Sequence, residues 1–174
     1  VERVRRSHCR FVCRPTIIAM RWWLMKTEPD VFGIADLARL GTSSWDGVRN
    51  YQARNFMQAM ALGDRVLIYH SNAKPSGVAG LAEVCRTAHP DRSALDPASP
   101  YHDPKATPDK PIWQMVDVRF VETFARFIPL DELRADRRLA AMLLFSRSRL
   151  SVQPVDEPHA AAIVALGRGR RPRG

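Results

Sequence analysis

Two apolar runs, RVLIYHS (65–71) and GVAGLAEVCRTA (77–88), flank NAKPS, five residues of turn chemistry, and this arrangement narrows the possible folds most. Each run has strand length and composition, and a short linker of Asn, Lys, Pro and Ser joins antiparallel neighbours. The pattern predicts a β-hairpin. Gly77 and Gly80 inside its second strand predict a bulge, or a place where another group approaches the backbone closely. WQMVDVRFVETFARF (113–127) alternates over enough residues to form a long strand, curved if it serves a barrel. RWWLMK (21–26), TSSW (42–45) and SRLSVQPV (148–155) supply shorter extended pieces. Pro29 stops the first of them, and Asp30 is placed to cap a helix carrying Ile34, Leu37 and Leu40, which Gly41 ends. NYQARNFMQAMALG (50–63) sets Phe56, Met57 and Met60 along one helical face and ends at Gly63. LDELRADRRLAAMLLF (130–145) is helical with a break, and DEPHAAAIVALG (156–167) is a closing amphipathic helix. Residues 89–111, with six prolines, form a long loop, and loops of that length in compact domains are functional or disordered. Mostly antiparallel strands with helices inserted between the early ones predict an α+β domain on a small, partly open β-barrel with peripheral helices.

A chain of 174 residues is one domain's worth. Its formal charge of +9 lies at the two ends. Residues 1–20 carry five Arg against Glu2, and GRGRRPRG (167–174) carries four Arg and no acid, so residues 21–166 are left with +1. A near-neutral middle argues against a broad phosphate-gripping face, because non-specific affinity for DNA or RNA comes mostly from Lys and Arg displacing counterions. Residues 1–19 are expected to be a flexible or non-native extension and 167–174 a disordered Arg-rich tail, with one domain over 20–166. Three cysteines, Cys9, Cys13 and Cys85, make no disulfide framework and fit a reducing cytoplasm. HCRFVC meets no second Cys/His pair at ligand spacing, so no metal is expected, and no cofactor. The apolar runs IIAM and WWLM are too short for a bilayer, so no membrane contact is expected.

WDGVRNYQARN (45–55) packs a Trp, an Asp-Gly turn, two Arg, two Asn, a Tyr and a Gln beside one branched aliphatic residue, Val48. From these residues alone, Trp45 reads as ordinary core and Asn50 as a helix cap. The order WWLMKTEPDVF, WDGVRNYQARNFM, GDRVLIYHSN, GVAGLAEV, YHDPK, WQMVDVRFV and SRLSVQPV, however, closely resembles the EVE domain family from about Arg21 to Leu166. The EVE family lies in the PUA-like superfamily, beside the YTH readers of methylated adenine and the ASCH domains. The resemblance implies a PUA-like barrel with a pocket for a modified nucleobase in DNA or RNA, held without catalysis.

A base held out of its helix presents a flat π-face and a polar edge, so its pocket needs an aromatic wall and in-plane donors and acceptors. By resemblance to YTH-like readers, Trp45 is expected to be one wall, with Val48 beside it and Asn50 facing the base edge. Thr27 and Glu28 end the first strand, where a carboxylate can accept from an exocyclic amino group. YHSN adds Tyr69, His70, Ser71 and Asn72, and because alternate residues face opposite sides, one of Tyr69 and His70 is expected in the pocket. The resemblance makes Tyr101 the second wall, with Trp113 in reserve, and brings Arg149 and Ser151 to the same rim. Arg49, Arg54, Lys105, Arg149 and Ser151 are the candidates for phosphate or strand contact. A monomer is expected, strengthened by a partner protein or second domain. Two alternatives stay open: an ASCH-like enzyme using Lys26 or Glu28 on a nucleoside or RNA, which requires a Lys pKa lowered by burial, and plain PUA-like RNA binding.

Overall fold

The computed structural model describes residues 20–169, so the expectations for residues 1–19 and 170–174 lie outside the described residues. Strands β1 (Trp22–Thr27), β2 (Thr42–Trp45), β3 (Arg65–His70), β4 (Gly77–Pro90), β5 (Gln114–Pro129) and β6 (Val152–Val155) form one sheet in the order β2-β5-β4-β3-β1-β6. All neighbours are antiparallel except β1 and β3. Helices α1 (Ile34–Leu40), α2 (Tyr51–Ala59), α3 (Leu130–Ala135), α4 (Leu143–Ser146) and α5 (Glu157–Gly167) decorate it.

The sheet is open but strongly curled. Helix α2 packs against β4, β5 and β6. In a flat sheet β5 and β6, four strand spacings apart, would be roughly 19 Å from each other, too far for one helix to touch both. The strands therefore wrap around α2, giving the partly open barrel. Successive residues of one strand face opposite sides, so β1 sends Trp23 and Met25 to the concave side and Leu24 to the convex one. The concave core joins them to Val66, Ile68, Val116, Val118, Trp45 and the buried face of α2, Ala53 and Met57. The convex core packs Leu24, Leu67, Tyr69 and Ile128 against Leu133, Leu139 and Ile163 from the C-terminal helices. Each buried Leu or Ile contributes about 1.5–3 kcal/mol.

The expected hairpin is β3–β4, and its second strand slips register between Val78 and Gly80. A Cβ on Gly77 would stand 2.1 Å from the Ile128 carbonyl oxygen, and one on Gly80 would stand 2.4 Å from that of Glu122. Both glycines admit the neighbouring strand's backbone, as their positions predict. Two details differ from expectation. The first helix is capped by Gly33, whose N–H donates to Asp36, and not by Asp30. Helix α2 ends at Ala59, before the expected Gly63. Helix α5 runs through Gly167, as DEPHAAAIVALG predicts, and Arg168 just past it pairs with Glu122.

Three polar side chains are fully buried: Asp64, Asp91 and Gln153. Asp64 closes the end of the barrel where β1 and β3 start, accepting from the Trp23 indole at 2.8 Å and from the backbone N–H groups of Arg21 and Ala61. The other two brace the opposite end.

Candidate functional site

At the end of the barrel where β1, β2 and β3 finish and β6 begins, the chain leaves a cleft of about 960 Å³. Four turns build its walls. After β1, the Glu28 carbonyl accepts from the N–H groups of Val31 and Phe32, a turn that Pro29 permits, and Thr27 donates its hydroxyl to the Phe32 carbonyl at 2.7 Å. This folds Phe32 over the concave core edge-on to Trp45, ring centres 6.4 Å apart. After β3, the Ser71 N–H and hydroxyl both donate to the Thr27 carbonyl, and Asn72, at φ 52°, donates to Glu28 Oε1 at 2.6 Å. Asn commonly tolerates that left-handed backbone.

The third wall follows β2. Trp45 is 7% exposed, packed in the concave core, and still lines the cleft. It is core and wall together. Gly47, at φ 73°, turns the chain so that the Tyr101 ring lies against its α-carbon: an added Cβ would meet that ring at 3.0 Å. Tyr101 is 42% exposed at the rim. Buried Asp91 anchors this wall by accepting from Gly47 N–H at 3.0 Å, Arg49 at 2.7 Å and the Ser93 N–H and hydroxyl. Burial alone would raise the Asp91 pKa, but the Arg49 and Ser93 hydrogen bonds, the Gly47 N–H and the guanidinium charge together hold it below the usual carboxylate range. The fourth wall is the turn before β6. Gln153 donates from its buried amide to the Arg147 and Leu150 carbonyls and so fixes the loop that presents Ser148 and Arg149.

The cleft thus brings together Thr27, Glu28, Trp45, Val48, Ser71, Asn72 and Tyr101 of the expected base-binding set, with Arg49, Arg149 and Ser151 of the expected strand contacts. The remaining candidates sit elsewhere. Asn50 is exposed and caps α2, its side chain accepting from Ala53 N–H at 2.9 Å. Neither Tyr69 nor His70 lines the cleft. Tyr69 faces the convex core, and His70 Nε2 accepts from Ile34 N–H at 3.1 Å beneath α1. Burial lowers the His70 pKa, favouring the neutral ring that can accept. Arg54 donates to the Ile112 carbonyl and to Asn55, and Lys105 is exposed on the far loop. Trp113, the reserve wall, is buried with Ala94 and Ala106, bonded to Asp103 at 2.7 Å and stacked on Tyr51. Arg49 borders the cleft, but its fork is occupied by Asp91, Ser93 and the Tyr101 and Val48 carbonyls, so it serves as an internal strut rather than as a free phosphate ligand.

Eight lining residues were not among the expected binding residues, and three of them bear on the chemistry. Phe32 was legible as an apolar residue just past the TEPD turn. Asp46 was read only as a turn residue; partial burial and the neighbouring Asp91 charge raise its pKa. Lys26, weighed only as an acid or base, donates to the Ser148 carbonyl at 2.6 Å, and burial lowers its pKa. Chemically, the cleft offers an indole wall and Phe32 for a flat ring, Val48 for a methyl group, hydroxyl, amide and carboxyl groups for a polar edge, and Arg149 at the rim for an anion. Among the described residues no three His, Cys, Asp or Glu side chains cluster as metal ligands, and no helix is long and apolar enough to cross a membrane.

The EVE domain model matches residues 21–166. Thymocyte nuclear protein 1 of Mus musculus is 43% identical in a match 164 residues long that covers 83% of this chain and 73% of that relative. Among solved structures, a hypothetical protein from Leishmania major superposes with a TM-score of 0.84 at 53% identity, over 87% of this chain and 96% of that one. The human THYN1 protein, solved in complex with DNA containing 5-methylcytosine, superposes with a TM-score of 0.82 at 42% identity, over 84% of this chain and 97% of the other.

Proposed function

This chain belongs to the EVE domain family, and from that premise we propose that it is a non-catalytic DNA-binding module that takes one modified nucleobase, 5-methylcytosine first among them, into the cleft beside Trp45. The observation that carries the reading is the composition of the cleft: a buried indole that still forms a wall, with Val48 and Phe32 alongside and Thr27, Glu28, Ser71 and Asn72 around it. A methylated pyrimidine needs such a set: a π-face to stack on, an apolar contact for the methyl, and donors and acceptors for the edge. The human relative's complex with 5-methylcytosine DNA supports the choice of modification.

Stacking on an aromatic wall contributes about 1–3 kcal/mol per base, while drawing a base from a duplex costs a few kcal/mol. The two nearly offset each other. Binding to a lone modified base is therefore weak, and useful affinity comes from contacts along the strand or through a partner protein. The test is a titration of the whole chain against matched oligonucleotides carrying cytosine, 5-methylcytosine, 5-hydroxymethylcytosine or N6-methyladenine, as DNA and as RNA. Preference for methylated cytosine in DNA, lost in Trp45→Ala, is the expected result. Equal affinity for all of them would favour plain PUA-like RNA binding and overturn the reading.

One observation favours a second reading. Burial lowers the Lys26 pKa, the direction that acid–base chemistry on a nucleoside or RNA would need. Its ammonium group, however, is held by the Ser148 carbonyl, and Glu28 is held by Asn72. Turnover of a nucleoside or RNA that disappears in Lys26→Ala would establish the enzymatic reading in place of the first.

A further inference from the structure

Beside the base cleft lies a second hollow of about 340 Å³, bordered by Ser44, Arg86, His89, Pro90, Arg92 and Met115. Ser44 borders both, so the two openings are neighbours across the end of β2. Resting on the base-binding reading above, we propose that this niche holds a backbone phosphate of the strand whose base occupies the cleft.

The charges of the niche argue for an anion. Arg92 is exposed, and its guanidinium makes no side-chain hydrogen bond or ion pair among the described residues. Arg86 is 63% exposed and reaches Asp117 only at 3.8 Å. Two acids adjoin the niche and both are engaged: Asp117 Oδ1 accepts from Ser44 at 2.8 Å and lies 3.4 Å from His89 Nε2, and Asp91, between Pro90 and Arg92, is held by Gly47, Arg49 and Ser93. His89 Nδ1 meets the Thr87 carbonyl at 2.9 Å, and its buried Nε2 has no hydrogen-bond partner. Asp91 is neutralised by Arg49, so the two guanidinium groups of Arg86 and Arg92 face one shared carboxylate, Asp117, and the niche is net positive. Guanidinium forks match the oxygens of a phosphodiester, which Arg binds through parallel N–H donors.

The contrast with Arg49 sharpens the assignment. Arg49 was one of five candidates for phosphate or strand contact, but its donors are engaged inside the protein. Arg86 and Arg92 keep theirs available. Arg149 lies on the cleft itself, so the strand would pass between Arg149 on one side of the base and the niche on the other.

The experiment is a fluorescence-anisotropy titration of the full chain against an oligonucleotide carrying one 5-methylcytosine, against its unmethylated match, and against versions in which either flanking phosphate is an uncharged methylphosphonate. The variants are Arg86→Ala/Arg92→Ala and, as a charge-matched control on the convex side, Arg134→Ala/Arg137→Ala. The niche variant should lose about tenfold in affinity for methylated and unmethylated DNA alike. Its salt slope should fall by about 1, and its methyl preference should be unchanged. One of the two methylphosphonates should weaken the wild-type chain but not the niche variant. Indifference of the wild-type chain to both methylphosphonates, an unaltered salt slope in the niche variant, or an equal effect in the control would overturn the niche. If the slope falls but the wild-type chain shows no methyl preference, the niche stands and the base-binding reading fails. Absence of any DNA binding overturns both.

Discussion

The concave and convex cores are cut from the same strands by the alternation of side chains, yet only one of them opens to solvent as a site. On the convex side, Leu24, Leu67 and Ile128 are sealed by α3, α4 and α5, whose residues Leu133, Leu144 and Ile163 are buried. On the concave side, α2 fills the curl, but the core ends at Trp45 and Val48, beyond which the lining turns polar. The difference lies in what caps each core. Helices cover one with aliphatic side chains, while turns cover the other, and turns carry backbone groups that need buried partners such as Asp91 and Gln153. A recognition cleft arises where a core is closed by braced loops.

Paired truncations test that contrast most strongly. Trp45→Ala should cost about 3–5 kcal/mol and Leu133→Ala about 2–5 kcal/mol in denaturant unfolding. Only the first should abolish methyl preference in the folded protein. If both variants keep the preference, the concave core is packing alone. Next is Asp91→Asn, which keeps the shape but removes the charge facing Arg49, with a loss of about 3 kcal/mol. The lowered folded pKa of Asp91 means its contribution is complete above the ordinary carboxylate value of about 3.9 and is lost as pH falls through the lower folded value. Melting temperature against pH should therefore drop less steeply below about pH 4 in Asp91→Asn than in the wild type.

A smaller effect is expected from Arg49→Lys, which keeps the charge and loses the fork, at about 1 kcal/mol. Amide exchange should quicken in residues 91–113 while α5 is unchanged; faster exchange in both would show that the brace is not local. Smallest is Asp46→Asn. The raised pKa of Asp46 reverses the sign: its favourable contribution is present at low pH and is lost as pH rises through the raised value. At neutral pH the neutral amide should thus raise Tm slightly, by no more than about 2 °C for so exposed a group. A clear fall in Tm would show that its charge stabilises the turn.

What the sequence disclosed follows the range of the forces involved. The β3–β4 hairpin was legible because turn and alternation are local, and Gly77 and Gly80 marked the close strand approach through the missing Cβ. The parallel pairing of β1 with β3 was not legible, since no periodicity names a partner 43 residues away. In the cleft, Trp45, Thr27 and Ser71 were reached through the family resemblance, whereas the residues alone suggested core packing for Trp45. Asn50 follows the plain capping rule that the residues alone already stated. The internal pairing of Arg49 was not legible because its partner, Asp91, lies 42 positions away and looks like an ordinary loop acid until its burial is seen. Tyr69 and His70 show the same limit: alternation separates their directions without saying what meets each one.

The loop from Asp91 to Trp113 is held at one end by Arg49 and at the other by the Asp103–Trp113 bond, so the Tyr101 wall stands before any ligand arrives. Association should then run at the speed of encounter, with no slow rearrangement phase in stopped-flow traces. The heat-capacity change should correspond to the apolar area of a single base, without the large extra term that accompanies a segment ordering on contact. A rigid doorway also ties lifetime to fit: improved ligands would be recognised by slower departure rather than by faster arrival.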